Sequence, residues 1–241
     1  MYDLDGFRED LRNFGIELTR QQEEKFIRYY EILSEWNGFM NLTAITEFQD
    51  VLKKHFVDSL SIVTVYGELL ERDPFSVIDI GTGAGFPGVP IKIVFPHIRI
   101  TLLDSLQKRI RFLEEVVKEL DLQEVQLVHG RAEDVAREEN YREKYDLCVS
   151  RAVADLSVLS EFCLPFVKEG GFFVSYKSEK ITEEAGRAQH AVELLGGEFY
   201  GQKEFYLPQS DIFRNLFQIR KTRKTPKRYP RKAGVPSKQP L

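Results

Sequence analysis

The chain has 241 residues, 42% of them apolar and 30% charged, which fits a soluble globular protein of one medium domain with at most a small second one. Its two cysteines, Cys148 and Cys163, form no C-x-x-C, which excludes a disulfide framework and a cysteine-based zinc site and suits a reducing compartment. The net charge of −4 hides an asymmetry: residues 212–241 hold ten of the 34 Lys and Arg and no acid, leaving 24 basic against 38 acidic side chains, or −14, for residues 1–211.

The start of the chain, Met1-Tyr2-Asp3-Leu4-Asp5, lacks the basic and apolar regions of a signal peptide. No apolar run approaches a membrane span, so the protein is expected in the cytoplasm. Residues 1–68 read as a helical region packed on a core. Thr19-Arg20-Gln21-Gln22 has the form of a capping box, and Phe26, Tyr29, Tyr30, Leu33 and Trp36 follow it at helical spacing. Such an aromatic stripe reads as core packing. Asn37-Gly38 predicts the end of that helix. After a polar turn at Asn41-Leu42-Thr43 and Thr46, a second helical stretch carries Val51, Leu52, Phe56, Leu60 and Ile62. Within it His55 reads as structural, and Asp58 or Ser59 as a helix cap.

The stretch that organises the rest runs from Ser76 to Pro90. Val77-Ile78-Asp79-Ile80 has the length and β-branching of a buried parallel strand. It empties into Gly81, Gly83 and Gly85, with Gly88 close behind. Such a loop turns tightly, lets a ligand approach the main chain, and should present backbone N–H groups at a helix start. Its G-x-G-x-G spacing, with Phe at position 86, is neither the dinucleotide fingerprint nor a P-loop. Asp79 reads either as a ligand contact or as a carboxylate fixing the loop's own N–H groups.

Beyond the loop, strands are predicted over Ile98–Leu103, Val125–Val128, Tyr145–Val149 and Phe172–Tyr176, and an antiparallel hairpin over Phe199–Leu207 and Ile212–Arg220. Helices fill the intervals, one after Ser105 as its cap, one over Leu156–Val167 and one over Thr182–Leu195. Lys108, Arg109 and Arg111 lie on the first turns after Ser105. The alternation predicts an α/β protein, a seven-stranded, mostly parallel sheet with right-handed crossovers. In such sheets ligands bind at the carboxyl ends of the strands, and Gly81 to Gly85, Asp104-Ser105, Arg131 to Asp134, Ser150-Arg151 and Lys177 all follow strands. One site is being built.

Asp104 ends the second strand about twenty residues after the glycines, where a carboxylate can accept both ribose hydroxyls. Glu133 or Asp134 can meet an adenine edge, or simply sit as acids at a helix N-terminus. No Lys or Arg stands in the glycine loop to meet phosphates. A phosphate-free nucleoside fits better than NAD, and S-adenosylmethionine is the common one. The basic tail suits a polyanion or a docking on the acidic body.

On these segments the chain resembles a class I S-adenosylmethionine-dependent methyltransferase with a Rossmann-like fold. It is most similar to the bacterial small-subunit (16S) rRNA guanine-N7 methyltransferases, the family of glucose-inhibited division protein B. The segments that carry the resemblance are Asn41-Leu42-Thr43, Lys54 to Leu60, Asp79 to Pro90, Leu102 to Ser105 with Lys108-Arg109, Gly130 to Glu133, Ser150-Arg151-Ala152 and Arg228 to Gly234. The resemblance implies cofactor contacts at Asp79, Gly81, Gly83, Gly85, Phe86, Asp104, Ser105, Ala132, Glu133 and Arg151. It implies RNA contacts at Arg131, Lys177, Lys224, Lys227, Arg228, Arg231 and Lys232, with Arg151 and Lys177 as candidates to position the base. No metal is expected, and a monomer is. The implied division is a helical region over 1–68, a methyltransferase core over 69–220 and a basic tail over 221–241. The alternative is a methyltransferase acting on another RNA or a small molecule.

What the sequence lacks agrees with this. Methylating a ring carbon needs a nucleophilic cysteine, yet Cys148 falls in a strand and Cys163 in a helix. Exocyclic-amine enzymes typically carry Asn/Asp-Pro-Pro-Tyr after the fourth strand, where this chain has Ser-Arg-Ala-Val. Guanine N7 has a free lone pair and loses no proton on attack, so positioning suffices.

Overall fold

A computed structural model describes residues 2–151, 154–179 and 182–241. Among these, the helices before the sheet are α1 (Asp5–Arg12), α2 (Arg20–Met40), α3 (Phe48–Val51), α4 (Asp58–Leu60) and α5 (Val63–Leu70), with a π-helical stretch, Leu52–Val57, between α3 and α4. There follow β1 (Ser76–Ile80), α6 (Gly88–Val94), β2 (Arg99–Asp104), α7 (Gln107–Glu119), β3 (Val125–His129), α8 (Ala132–Val135), β4 (Tyr145–Ser150) and α9 (Leu156–Cys163). The chain closes with β5 (Val167–Lys177), α10 (Thr182–Leu194), β6 (Gly197–Tyr206), β7 (Phe213–Lys221) and α11 (Val235–Lys238).

The seven strands lie in the order β3-β2-β1-β4-β5-β7-β6, as a mostly parallel sheet must when the chain winds outward first to one side and then to the other. Of these seven, β7 is the reversed strand, pairing antiparallel with both β5 and β6. The direction of winding reverses between β1 and β4, so the crevice opens at the carboxyl ends of those two strands. Side-chain alternation along β1 splits the interior in two. Val77 joins a core shared with the N-terminal helices, α6 and α7, while Ile78 and Ile80 join a second core under α8, α9 and α10. Asp79 therefore points to the side covered by the N-terminal helices.

The capping box at Thr19 is present, with Gln22 N–H donating to the Thr19 hydroxyl and Gln22 reaching back to the Thr19 N–H. Helix α2 does not stop at Asn37-Gly38. It continues to Met40, where Asn41 in the left-handed conformation closes it, and the Asn37 side chain accepts the Thr43 N–H at 2.9 Å. The predicted Leu156–Val167 helix ends at Cys163, because Pro165 tightens the next three residues into a 3₁₀ turn. The strand after it starts earlier than expected, Val167 pairing with Tyr145 before the register shifts. Ser105 is exposed and caps nothing: the residue preceding α7 is Leu106, whose N–H is taken by Asp104 Oδ1 at 2.9 Å.

Candidate active site

The glycine loop is held from three sides. Gly81 and Thr82 donate their N–H groups to Leu103 O at 2.9 and 3.1 Å, which ties the loop to the end of β2. Asp79, fully buried in β1, accepts from the Thr82 hydroxyl at 2.7 Å and from the Gly88 N–H at 2.9 Å through the same oxygen. The first N–H of α6 is thus spent on the preceding strand instead of facing a ligand. Burial pushes the Asp79 carboxyl up to about 7 against these two hydrogen bonds. From behind, the Tyr29 hydroxyl of α2 donates to Ala84 O, and the Tyr29 ring stacks on Phe56 at 5.3 Å.

The glycines divide by what lies in front of them. Gly81 (φ +69°) and Gly83 (φ +63°) have left-handed backbones, and a Cβ built on either has open space or only a distant carbonyl before it. Gly85 and Gly88 face the interior, where a Cβ would come within 2.6 Å of Tyr29 Oη and 2.3 Å of Leu102 Cδ2 respectively. The loop therefore offers a ligand its first two glycines and uses the other two to pack.

Asp104, almost wholly buried at the end of β2, accepts the Gly83 N–H at 2.9 Å and pairs with Arg109 at 3.1 Å. Ala132 and Glu133 open α8 beside it, across the Gly130 N–H that donates to Asp104 O. Glu133 is buried and accepts the Gly234 N–H at 2.9 Å. Gly81, Gly83, Asp104 and Glu133 form a cradle of forward-facing backbone and two carboxylates along three strand ends.

Beside it lies a cavity of about 600 Å³ whose lining includes Lys54, His55, Asp58, Arg151, Tyr176, Lys177 and Arg214. Its wall is a charge network. Asp58 accepts from Arg151 at 3.0 Å with one oxygen and from Arg214 at 2.7 Å with the other. Arg151 also donates to Lys54 O and to His55 Nδ1 at 3.1 Å. Because a guanidinium only donates, His55 Nδ1 must accept, so its Nε2 carries the proton and donates to Thr43 Oγ1 at 2.8 Å. Burial, reinforced by Arg151 and Arg214, presses the imidazole down to about 3. The neutral ring stacks on Phe86 at 4.5 Å, and the Arg151 guanidinium lies 4.9 Å above that same ring. Lys177 pairs with Glu184 at 2.6 Å and donates to Ala154 O.

The sequence singled out Arg151, Lys177 and Phe86 for this region, and they do come together. It passed over His55, Asp58 and Arg214. Asp58 and Ser59 cap no helix: the residue preceding α4 is Val57, the Asp58 carboxylate is spent on two arginines, and the Ser59 hydroxyl donates to His55 O. The signal was the one-turn spacing of Lys54, His55 and Asp58, which only a contact with β4 and β7 turns into a site. Ala152, in the segment after β4, lies outside the described residues.

The basic tail lies on the body. Arg231 grips the fully buried Glu161 of α9 through its backbone N–H (2.6 Å) and its guanidinium (2.7 Å). Arg142 donates to Thr225 O and Tyr229 O, and Arg137 to Pro230 O. Lys224, Lys227, Arg228 and Lys232 are exposed, as is Arg131 before α8. Five of the seven expected RNA contacts thus face solvent, whereas Arg231 and Lys177 are bound to acids of the fold. Among the described residues, no group of three or more His, Cys, Asp or Glu could hold a metal ion, and no helix is long and apolar enough to cross a membrane.

The family model described as rRNA small subunit methyltransferase G (GidB) matches residues 22–212. Proteins named ribosomal RNA small subunit methyltransferase G are similar over almost the whole chain. That of Lachnoclostridium phytofermentans is 50% identical over 241 residues, covering 100% of this chain and 98% of its own. That of Alkaliphilus oremlandii is 53% identical, covering 98% of each.

The chain belongs to the GidB family.

Among solved structures, the fibrillarin pre-rRNA processing protein of Methanococcus jannaschii superposes with a TM-score of 0.50 at 13% identity, covering 64% of this chain and 69% of its own. That likeness concerns the fold alone. S-adenosylmethionine fits the cradle of this GidB protein: two glycines leave open space before them, a buried carboxylate ends β2, and a second opens α8. No cation of the glycine loop competes for a phosphate.

Proposed function

We propose that this protein transfers the methyl group of S-adenosylmethionine to N7 of a specific guanine in small-subunit (16S) rRNA, acting as a monomer in the cytoplasm. The observation that carries the reading is the match to the GidB family over nearly the full chain, joined to a cavity that opens beside the cradle at the strand ends.

When bound, the cofactor supplies an electrophilic methyl on a sulfonium. In this reading Gly81 and Gly83 lie along it, Asp104 accepts the ribose hydroxyls, and Ala132 and Glu133 flank the adenine. Asp79, Gly85 and Phe86 hold those contacts in place from behind, with Ser105 at the rim. Arg151, fixed by Asp58 and stacked on Phe86, stands between cradle and cavity, where its donors suit the O6 edge of a guanine. Attack by a free lone pair releases no proton, so the site needs orientation and water exclusion more than a base. A His55 held neutral, and an Asp58 and Lys177 tied to partners, suit that demand.

The test is transfer of tritiated methyl from the cofactor to small subunits and to naked rRNA from a strain lacking the modification, with the base mapped by borohydride cleavage and primer extension. Labelling at one guanine N7 is expected. Failure to label either substrate overturns the reading, and labelling elsewhere overturns its N7 part.

A further inference from the structure

The first turns of α7 carry Lys108, Arg109 and Arg111 and no acid in the first turn, although the positive end of a helix dipole disfavours cations there. Arg109 has a use within the fold, its pair with Asp104. Lys108 and Arg111 are exposed and form no ion pair with the described residues, in a body whose first 211 residues carry a charge of −14. The fold gains little from either. Beside them stand two of the most exposed large apolar side chains, Phe39 at 68% and Leu106 at 42%.

These residues share one rim. Lys108 Nζ reaches Met40 O at 3.4 Å, which joins the start of α7 to the end of α2. The Phe39 ring rests on Trp36 at 5.3 Å, and Trp36 meets Phe112 of α7 edge-on at 5.8 Å, so the exposed ring stands on a packed base. Leu106 donates its N–H to Asp104, the carboxylate of the cradle.

We propose that this rim, Phe39, Leu106, Lys108 and Arg111, is a landing surface for single-stranded RNA next to the cofactor cradle: a base stacks on Phe39 against Leu106, and the two cations hold adjacent phosphates. A rigid exposed aromatic interleaved with unpaired cations offers both chemistries that an unpaired nucleotide presents, a π-face and a phosphate. A protein partner would not need the cations, and an anionic surface would not need the ring. The inference rests on the reading of the substrate as rRNA.

The test uses full-length Phe39→Ala and the double variant Lys108→Glu/Arg111→Glu. Binding of S-adenosylhomocysteine by calorimetry, expected within about twofold of the parent, reports that each variant is folded. Methyl transfer to small subunits lacking the modification should show KM for the subunit raised about tenfold or more, with kcat little changed. Phe39→Tyr should restore it, and the double variant should show a shallower dependence of binding on salt. Unchanged KM in both variants overturns the rim while leaving the methyl transfer standing. Should the parent transfer no methyl to rRNA, mobility shift of the same RNA with parent and variants still decides: equal binding overturns the rim, and weaker binding by both variants supports it. A parent dimer that Phe39→Ala dissociates, with RNA affinity unchanged, identifies a self-interface and overturns it as well.

Discussion

Asp58 and Arg151 lie 3.0 Å apart across the junction between the N-terminal helices and the end of β4. Asp58 is 3% exposed and its second oxygen holds Arg214. One carboxylate from outside the sheet thus fixes two arginines, one just past the end of β4 and one in β7, in a single geometry. The N-terminal region is therefore part of the site's wall.

Replacing Asp58 with Ala leaves two arginines in the cavity wall without their common anion. Removing one partner of such a buried network costs about 3–5 kcal/mol, which denaturant unfolding should register. At temperatures where the variant remains folded, methyl transfer should drop at least tenfold in kcat. Affinity for S-adenosylhomocysteine should change less, because Asp58 touches the cavity and not the cradle.

His55 bears on pH dependence. Its imidazole is held neutral, with a folded value of about 3 against about 6.5 when unfolded. The unfolded chain therefore binds the extra proton first. The contribution to stability is complete above about pH 6.5 and falls away as pH drops toward 3, by about 1.4 kcal/mol per pH step within that window. Asp79, lifted to about 7, contributes a slope of opposite sign over much of that window, so the His55 contribution should appear as the difference between parent and His55→Gln in unfolding at a series of pH values. Between about pH 6.5 and 8 neither His55 nor guanine N7 exchanges a proton, so any inflection of turnover there should persist in His55→Gln and trace to the Asp79 carboxyl, which burial lifts to about 7.

The tail should couple to the cradle. Arg231 secures the segment on Glu161, and three residues later Gly234 donates to Glu133. Arg231→Ala leaves Glu161 buried without its cation, so stability should fall by about 3 kcal/mol and the last twenty residues should become sensitive to protease. Pairing it with Glu161→Gln should recover much of the stability. Affinity for S-adenosylhomocysteine should decline in both, because the tail that orients Glu133 is no longer anchored.

Two alanine substitutions in the glycine loop should fail differently. Gly88→Ala places a Cβ 2.3 Å from Leu102 Cδ2 and 2.9 Å from Asp79 Oδ2, and should destabilise the fold by about 1–3 kcal/mol. Gly83→Ala meets open space but strains a left-handed backbone, at about 1 kcal/mol. Its methyl enters the cradle, so the loss should appear in cofactor affinity. Calorimetry and unfolding on both variants separate the two effects.

Much of this was legible in one dimension because its physics is local. Strand length, β-branching, the Thr19 capping box and the glycine spacing each act within a few residues, and they determined a mostly parallel α/β sheet with a glycine loop at its strand ends. The absence of cations from the loop likewise pointed to a phosphate-free nucleoside. What only the tertiary structure decided depends on which partner a side chain meets. Asp58 reads as a cap until β4 and β7 bring two arginines to it. Ser105 reads as a cap until the buried Asp104 takes the Leu106 N–H instead. Arg231 reads as free charge until the chain folds back on Glu161, which is wholly enclosed in α9 and needs a cation. Charge is visible in a sequence, but its neutralisation is a long-range contact, and that contact separates the basic residues that hold the fold from those that face the solvent.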